Sequence, residues 1–341
     1  MSRGLEGLWY PERESISRGL VLSPLSLVSW GYGAAGRLRL RLYRAGLIRS
    51  ERVEGVRVIS VGNLNVGGTG KTPAVIALAE RLRTHARVAV VTRGYGREGT
   101  APLELLPGTA VEARLTGDEP RLISERAGVP VLVDADRVRA TKRARDVHGA
   151  QIVLLDDGLQ HLRLARDLDL VVVDEAVGFG NGRVVPRGPL REPLAGLSRA
   201  GLIWLRESPK PVPLPAFEAP VVRVRYVPSA WVDPEGVAEP IEVLRGQRVI
   251  ALCGIARPSS FERSLEEVGV ERLRTFAFAD HHAFTTAELA RVQEVASELG
   301  ARVVTTEKDR VRLPTAFNAI VLRIDVRVVG GEEVLERLLF G

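Results

Sequence analysis

A chain of 341 residues with 45% hydrophobic and 26% charged residues is long enough for about two domains and too apolar to be disordered. Its formal net charge of +6 and isoelectric point near 9.9 favour an anionic partner, and nucleic acid, an anionic membrane face and a phosphorylated small molecule all satisfy that. The single cysteine, Cys253, excludes an internal disulfide and a cysteine-built zinc site; it points to a reducing compartment, and its place in the apolar run Val249 to Cys253 marks it as core filler.

The segment Gly19 to Gly36 carries no charge, but Pro24, its serines and its glycines make it a poor membrane span. It follows acidic Glu6, Glu12 and Glu14 and lacks the basic start of a signal peptide. From Gly36 to Leu47, Arg37, Arg41 and Arg44 share one helical face while Leu38, Leu42 and Ala45 share the next. This pattern predicts a helix lying in a membrane interface, against the plainer reading of a helix packed on the core with solvated arginines.

From residue 56 onward short β-branched runs alternate with helical patterns, the signature of a mostly parallel, doubly wound α/β sheet. The predicted strands are Arg57 to Val61, Arg87 to Thr92, Val129 to Val133, Ile152 to Leu155, Leu168 to Val173 and Gly201 to Leu205. Prolines then crowd residues 208 to 215, and a strand in "VVRVRYV" and another in "PIEVL", parted by Asp233-Pro-Glu-Gly236, predict a hairpin linker. A second α/β unit follows, with strands at Val249 to Cys253, Thr275 to Ala279, Arg302 to Thr306 and Ile320 to Ile324. Its clearest helix runs from Thr286 to Leu299 behind the capping box Thr285/Glu288. The expected division is therefore 1–48 interfacial, 49–207 P-loop domain, 208–245 linker and 246–341 second, smaller α/β/α domain.

Between the first strand and the helix Thr72 to Arg83 lies "SVGNLNVGGTGKTP", Ser60 to Pro73. Its end matches the phosphate-binding pattern G-x-x-x-x-G-K-[ST], with Asn65 where the first glycine usually stands. Backbone N–H groups of Asn65, Val66, Gly67, Gly68, Thr69 and Gly70 can wrap phosphate oxygens, Lys71 can reach the terminal phosphates, and the Thr72 hydroxyl can ligate Mg²⁺. Asparagine tolerates left-handed backbone at low cost, so Asn65 is expected to supply the freedom of the missing glycine. The only other lysines are Lys142, Lys210 and Lys308, so a lysine in this loop is a choice against the chain's default arginine. Asp156 and Asp157, at the carboxyl end of the run Ile152 to Leu155, are candidate Mg²⁺ ligands where open sheets bind their ligands. Arg137 in "DADR" is a further candidate cation.

A P-loop alone does not separate a kinase from a nucleotide-hydrolysing switch or metallochaperone acting on a protein partner. A guanine-reading motif is missing, since "TTEKD" (Thr305 to Asp309) has Lys308 and Asp309 adjacent; a metallochaperone should offer Cys or His clusters, and the only His pair is His281-His282.

"SVGNLNVGGTGKTP", "TRGYGR" (Thr92 to Arg97), "GDEP" (Gly117 to Pro120), "DDGLQH" (Asp156 to His161), "GNGRVVPRGPLREP" (Gly180 to Pro193), "FADHHAF" (Phe278 to Phe284) and "TTEKDRVRL" (Thr305 to Leu313) occur in that order. In this the chain resembles the tetraacyldisaccharide 4'-kinase family over roughly residues 20 to 315. The resemblance implies MgATP-dependent phosphorylation of the 4'-hydroxyl of a tetraacylated glucosamine disaccharide 1-phosphate in lipid A biosynthesis. It implies an alcohol-group phosphotransferase at the cytoplasmic face of the inner membrane, with no nucleic-acid partner and no obligate protein partner. It also implies two α/β/α domains joined by a β-ribbon and an N-terminal helix on the membrane.

By the same resemblance Asp118 is the catalytic carboxylate, with Glu119 beside it, and His281 is its partner. Lys71 and Thr72 hold phosphates and metal, Asp156 and Asp157 complete the metal shell, and Gln160 lies near the nucleotide. Arg191 would steady phosphoryl or sugar phosphate, and Glu192 would help place the metal. From the residues alone, "GDEP" also reads as a helix start and His281-His282 as caps of the helix that follows.

Overall fold

The computed structural model describes residues 9–10, 23–109 and 111–341. The acidic residues ahead of the N-terminal helix, and residues 19–22 of the uncharged run, lie outside them.

The long N-terminal helix, α1 (Ser23–Arg44), starts earlier and ends earlier than its amphipathic pattern predicts. After it come β1 (Arg57–Gly62), α2 (Lys71–Leu82) and β2 (Val88–Thr92). A short strand β3 (Leu103–Leu105), helices α3 (Ala113–Thr116) and α4 (Asp118–Ala127), and strand β4 (Val131–Val133) follow. The chain continues through α5 (Arg137–His148), β5 (Ile152–Asp156), β6 (Leu168–Asp174), β7 (Leu202–Arg206) and the long β8 (Val221–Val232). Then come β9 (Ala238–Pro240), β10 (Arg248–Cys253), α6 (Pro258–Val268), β11 (Glu271–Ala277), α7 (Thr286–Glu298) and β12 (Arg302–Thr306). The chain finishes with α8 (Glu307–Arg310), β13 (Ile320–Gly330) and α9 (Glu332–Phe340).

These elements group into two compact units, one of residues 1–93, 134–225 and 328–341, the other of 94–133 and 226–327. In the first unit β1 is central, parallel to β5 on one side and β6 on the other; β2 extends the sheet beyond β5, and β7 and the start of β8 extend it beyond β6. Strands buried on both faces need continuous apolar runs, and β2 (Val-Ala-Val-Val-Thr) and β5 (Ile-Val-Leu-Leu-Asp) supply them. The closing helix α9 is tied to this unit: the Arg57 guanidinium donates to the carbonyls of Leu338 and Leu339, and Arg81 pairs with Glu332 and Glu336.

In the second unit β10 lies between β11 and β12, and β12 pairs with β13, all parallel. Alternation along β10 feeds two cores. Val249, Ala251 and Cys253 pack with Phe261 and Leu265 of α6, whereas Ile250 and Leu252 pack with Val292 and Val295 of α7. Cys253 is fully buried, and burial pushes its thiol up to about 12, so it is inert filler.

Residues 94–133, which the sequence pattern leaves inside a P-loop domain of 49–207, group instead with the C-terminal unit. Arg126 is the physical reason: its side chain, 12% exposed, pairs with both Glu307 and Asp325, while Arg121 donates to the Val311 carbonyl at 3.0 Å. The hairpin also differs in detail. The end of β8 pairs with Ala238–Pro240, so of the expected second strand "PIEVL" only Pro240 is extended; Ile241–Leu244 is a 3₁₀ turn that packs Leu244 into the core.

Candidate active site

The phosphate loop lies in the first unit, at the carboxyl end of β1. Val61 is paired with Asp156 across the parallel ladder, which brings the end of β5 beside the loop. Gly62 has no room for a side chain, because an added Cβ would fall 2.5 Å from that of Leu159. Left-handed backbone occurs at Gly67 (φ 102°) and Gly70 (φ 90°), and the α2 N-terminus that Gly70 opens has no side-chain cap. Its first N–H groups and its positive dipole end therefore stay available to an anion.

Asn65 is not among the positive-φ residues, so the expected stand-in for glycine's freedom is not its part. It is 3% exposed, and its Nδ2 donates to the Gly178 carbonyl at 2.9 Å, while its backbone bridges to Leu190. Asn65 ties the loop to the segment behind it. An Asn65→Gly variant, which leaves that buried carbonyl unpaired, is expected to lose about 1 to 3 kcal/mol in urea unfolding; an unchanged midpoint would overturn the assignment.

Lys71 Nζ donates to Asn63 Oδ1 at 3.0 Å and lies 3.5 Å from Asp157 Oδ1. Burial pulls the Lys71 ammonium below its ordinary value, with Asp157 and Asp156 acting against that. Asn63, which the sequence pattern does not single out, also donates from Nδ2 to Thr69 Oγ1 at 2.7 Å and so clamps the loop around the lysine. Asp157 adopts φ 54° and accepts from Arg191 Nη1 through both oxygens, at 2.8 and 2.6 Å. Burial alone would raise the Asp157 carboxyl, but Lys71 and Arg191 outweigh it and hold it low. Asp156 accepts from Thr92 Oγ1 at 3.0 Å.

Glu192, expected at the metal, is turned to Arg199 (2.8 Å) and to Gln160 Nε2 (2.9 Å), and Gln160 also donates to the Asn63 carbonyl at 3.0 Å. Glu192 and Gln160 thus brace the loop from behind. Arg137 is buried at the same strand ends, where burial lowers its pKa against the pull of Asp157 and Asp156. No group of three or more metal-type side chains gathers among the described residues. Mg²⁺ shared with nucleotide phosphates needs only one or two carboxylates and a hydroxyl, so Thr72, Asp156 and Asp157 suit it.

The second unit carries its own cluster. Gly117 (φ 89°) opens α4, which places Asp118 and Glu119 in the first turn, so the helix-start reading holds. Asp118 is nevertheless aimed at a histidine: His281 Nδ1 lies 2.9 Å from Asp118 Oδ2. The two neighbouring histidines divide their work. His282 Nε2 sits 3.0 Å from Glu288 of the α7 capping box and stacks on Phe278, whereas His281, at φ 61°, turns to Asp118. Asp157 and His281 are the positive-φ non-glycine residues among those described, and such backbone gathers at functional sites.

The hydrogen bond with Asp118 raises the His281 pKa, burial and Lys308 opposing it. Arg312 Nε is 3.3 Å from Asp118 Oδ2, and the same guanidinium pairs with fully buried Asp309 and donates to the carbonyls of His282 and Gly254. The "TTEKD" segment is therefore a scaffold for the dyad. Asp309 accepts from Gly254 N (2.9 Å) and Thr306 Oγ1 (2.6 Å), and Lys308 Nζ reaches Glu119 at 2.9 Å and Asp280 at 3.1 Å. Neither Lys308 nor Arg312 is assigned a role from the sequence, although both lie in the "TTEKDRVRL" motif and lysine is scarce in this chain.

Against known proteins, the family model for tetraacyldisaccharide-1-P 4'-kinase, LpxK, matches residues 20–340. Tetraacyldisaccharide 4'-kinase of Anaeromyxobacter dehalogenans (strain 2CP-C) is 43% identical, covering 98% of this chain and 94% of its own. That of Rhodospirillum centenum is 42% identical over 83% of this chain and 82% of its own. The crystal structure of Aquifex aeolicus LpxK in complex with ATP superposes with a TM-score of 0.80 at 29% identity, covering 94% of this chain and 98% of that one. The chain belongs to the tetraacyldisaccharide-1-P 4'-kinase family.

Proposed function

We propose that this chain transfers the γ-phosphate of MgATP to the 4'-hydroxyl of a tetraacylated glucosamine disaccharide 1-phosphate, with Asp118 as the base. The observation that carries the assignment of the base is the contact of 2.9 Å between Asp118 and His281, in a chain whose other unit holds Lys71 in a phosphate loop. Asp118 takes the hydroxyl proton as that oxygen bonds to the γ-phosphorus and the bond to the bridging oxygen breaks, releasing ADP. His281 donates Nδ1–H to Asp118 Oδ2 and fixes its direction, leaving Oδ1 for the proton. Asn63 holds Lys71 for the β- and γ-phosphates, and Arg191 keeps Asp157 ionised. Thr72, Asp156 and Asp157 would hold Mg²⁺, which when bound neutralises phosphate charge.

The lipid-linked acceptor places the reaction at a membrane, and α1 has the surface for it. Ser29 and Gly33 form its buried face, with Ser29 Oγ donating to the Val184 carbonyl at 2.8 Å. Leu27 (74% exposed), Trp30 (71%) and Leu38 (57%) point away with Arg37 and Arg41 exposed beside them. No helix among the described residues is long and apolar enough to cross a membrane; in this reading α1 lies in the interface of the cytoplasmic face of the inner membrane.

The test has two readouts. Purified protein with labelled ATP, Mg²⁺ and the disaccharide 1-phosphate should yield the 4'-phosphorylated lipid; hydrolysis that a protein partner stimulates, with no lipid product, would overturn the reading. Sedimentation with anionic vesicles should be lost in a Leu27→Ser/Trp30→Ser variant, and retained binding would remove α1 from the membrane contact.

A further inference from the structure

We propose that Lys308 is a positioning residue for the reaction: it opposes a second proton on His281 at Nε2 and so favours the Nδ1–H tautomer that orients Asp118. The inference rests on Asp118 acting as the base. Lys308 Nζ lies 3.2 Å from His281 Nε2. An ammonium has donors and no acceptor, so this contact is a hydrogen bond only while Nε2 keeps its lone pair. The opposite nitrogen then carries the proton and faces Asp118, as the distance of 2.9 Å requires.

The charges around the ring would otherwise favour an imidazolium. Asp118 and Glu119 face it from α4, with Glu119 Oε1 3.7 Å from Nε2, and Asp280 Oδ2 approaches from the preceding residue at 3.8 Å. Lys308 is the cation at that same Nε2 edge, Arg312 is the cation against Asp118, and the Tyr95 ring lies 6.2 Å away. Lys308 occupies both spare carboxylates, Glu119 at 2.9 Å and Asp280 at 3.1 Å, while pointing a proton at Nε2. It offsets part of the pull that protonates the ring and supplies repulsion against the extra proton. An imidazolium would stabilise ionised Asp118 and make it a weaker base.

The experiment follows the His281 ring by NMR titration of the full chain, alongside the pH profile of kcat. In Lys308→Gln the His281 titration should rise by about 1 to 3 pH units, and the acid limb of kcat should move to higher pH with it. Lys308→Arg, which keeps the cation, should restore both toward wild type. A His281 titration that Lys308→Gln leaves in place overturns the inference. So does a titration that moves while the acid limb stays. Failure of the base assignment itself reads out separately, as an Asp118→Asn variant that transfers phosphate normally.

Discussion

Replacing Asp118 with Asn is expected to lower kcat by about 10²- to 10⁴-fold, the range that general base catalysis contributes, while the KM for ATP changes little. Asn has the same shape, and its side-chain oxygen can still accept from His281 Nδ1, so the cluster should stay assembled. Arg312 keeps its buried partner Asp309 and its two carbonyl acceptors when the charge on Asp118 is lost, which preserves the packing behind the dyad. What Asn cannot do is accept a proton from the hydroxyl. Because the phosphoryl-transfer transition state is loose, charge neutralisation and positioning survive the change, and that sets the loss well short of complete. His281→Gln should add little on top of Asp118→Asn, since the two residues act as one unit. Unaltered transfer by Asp118→Asn would remove it from the chemistry, and a lowered melting temperature would shift the explanation to packing.

The parts of this molecule written in local patterns are the ones legible in its sequence. The runs behind β1, β5 and β6 are apolar because both faces of their sheet are covered, and the Thr285/Glu288 box marks the start of α7 to the residue. The loop at residues 65–72 could be placed because a strand, glycines and a helix follow each other in order. Its first residue was legible in position but not in role. Asn65 does not replace a glycine's backbone freedom; it reaches Gly178, a residue far along the chain, and no spacing rule encodes that contact. The same limit applies to the grouping of residues 94–133 with the C-terminal unit, which depends on Arg126 meeting Glu307 and Asp325. It applies again to the histidine pair. Adjacent residues share one environment in sequence, and only the left-handed turn at His281 sends one ring to Asp118 and leaves the other on the helix cap.

Lys71→Met is expected to lower kcat/KM for ATP by about 10²- to 10³-fold, the cost of losing one preorganised donor to developing charge. The lysine is held before any nucleotide arrives. Its side chain is 14% exposed, Asn63 Oδ1 accepts from Nζ at 3.0 Å, and Asp157 lies 3.5 Å away. Burial favours the neutral amine, so the carboxylates nearby are what keep a charge there to offer a phosphate. Methionine fills the same space without charge, and Asp157 retains Arg191, so the unit should unfold near the wild-type temperature. Lys71→Arg should fail to rescue, although arginine is the cation this chain uses almost everywhere else. A planar fork cannot fit where Asn63 bridges Thr69 and a single ammonium, and it would compete with Arg191 for Asp157. Wild-type transfer by Lys71→Met would mean that the backbone of the loop and the open end of α2 bind the phosphates unaided. Rescue by arginine would mean that charge alone, and not the point at which Asn63 holds it, is what the loop requires.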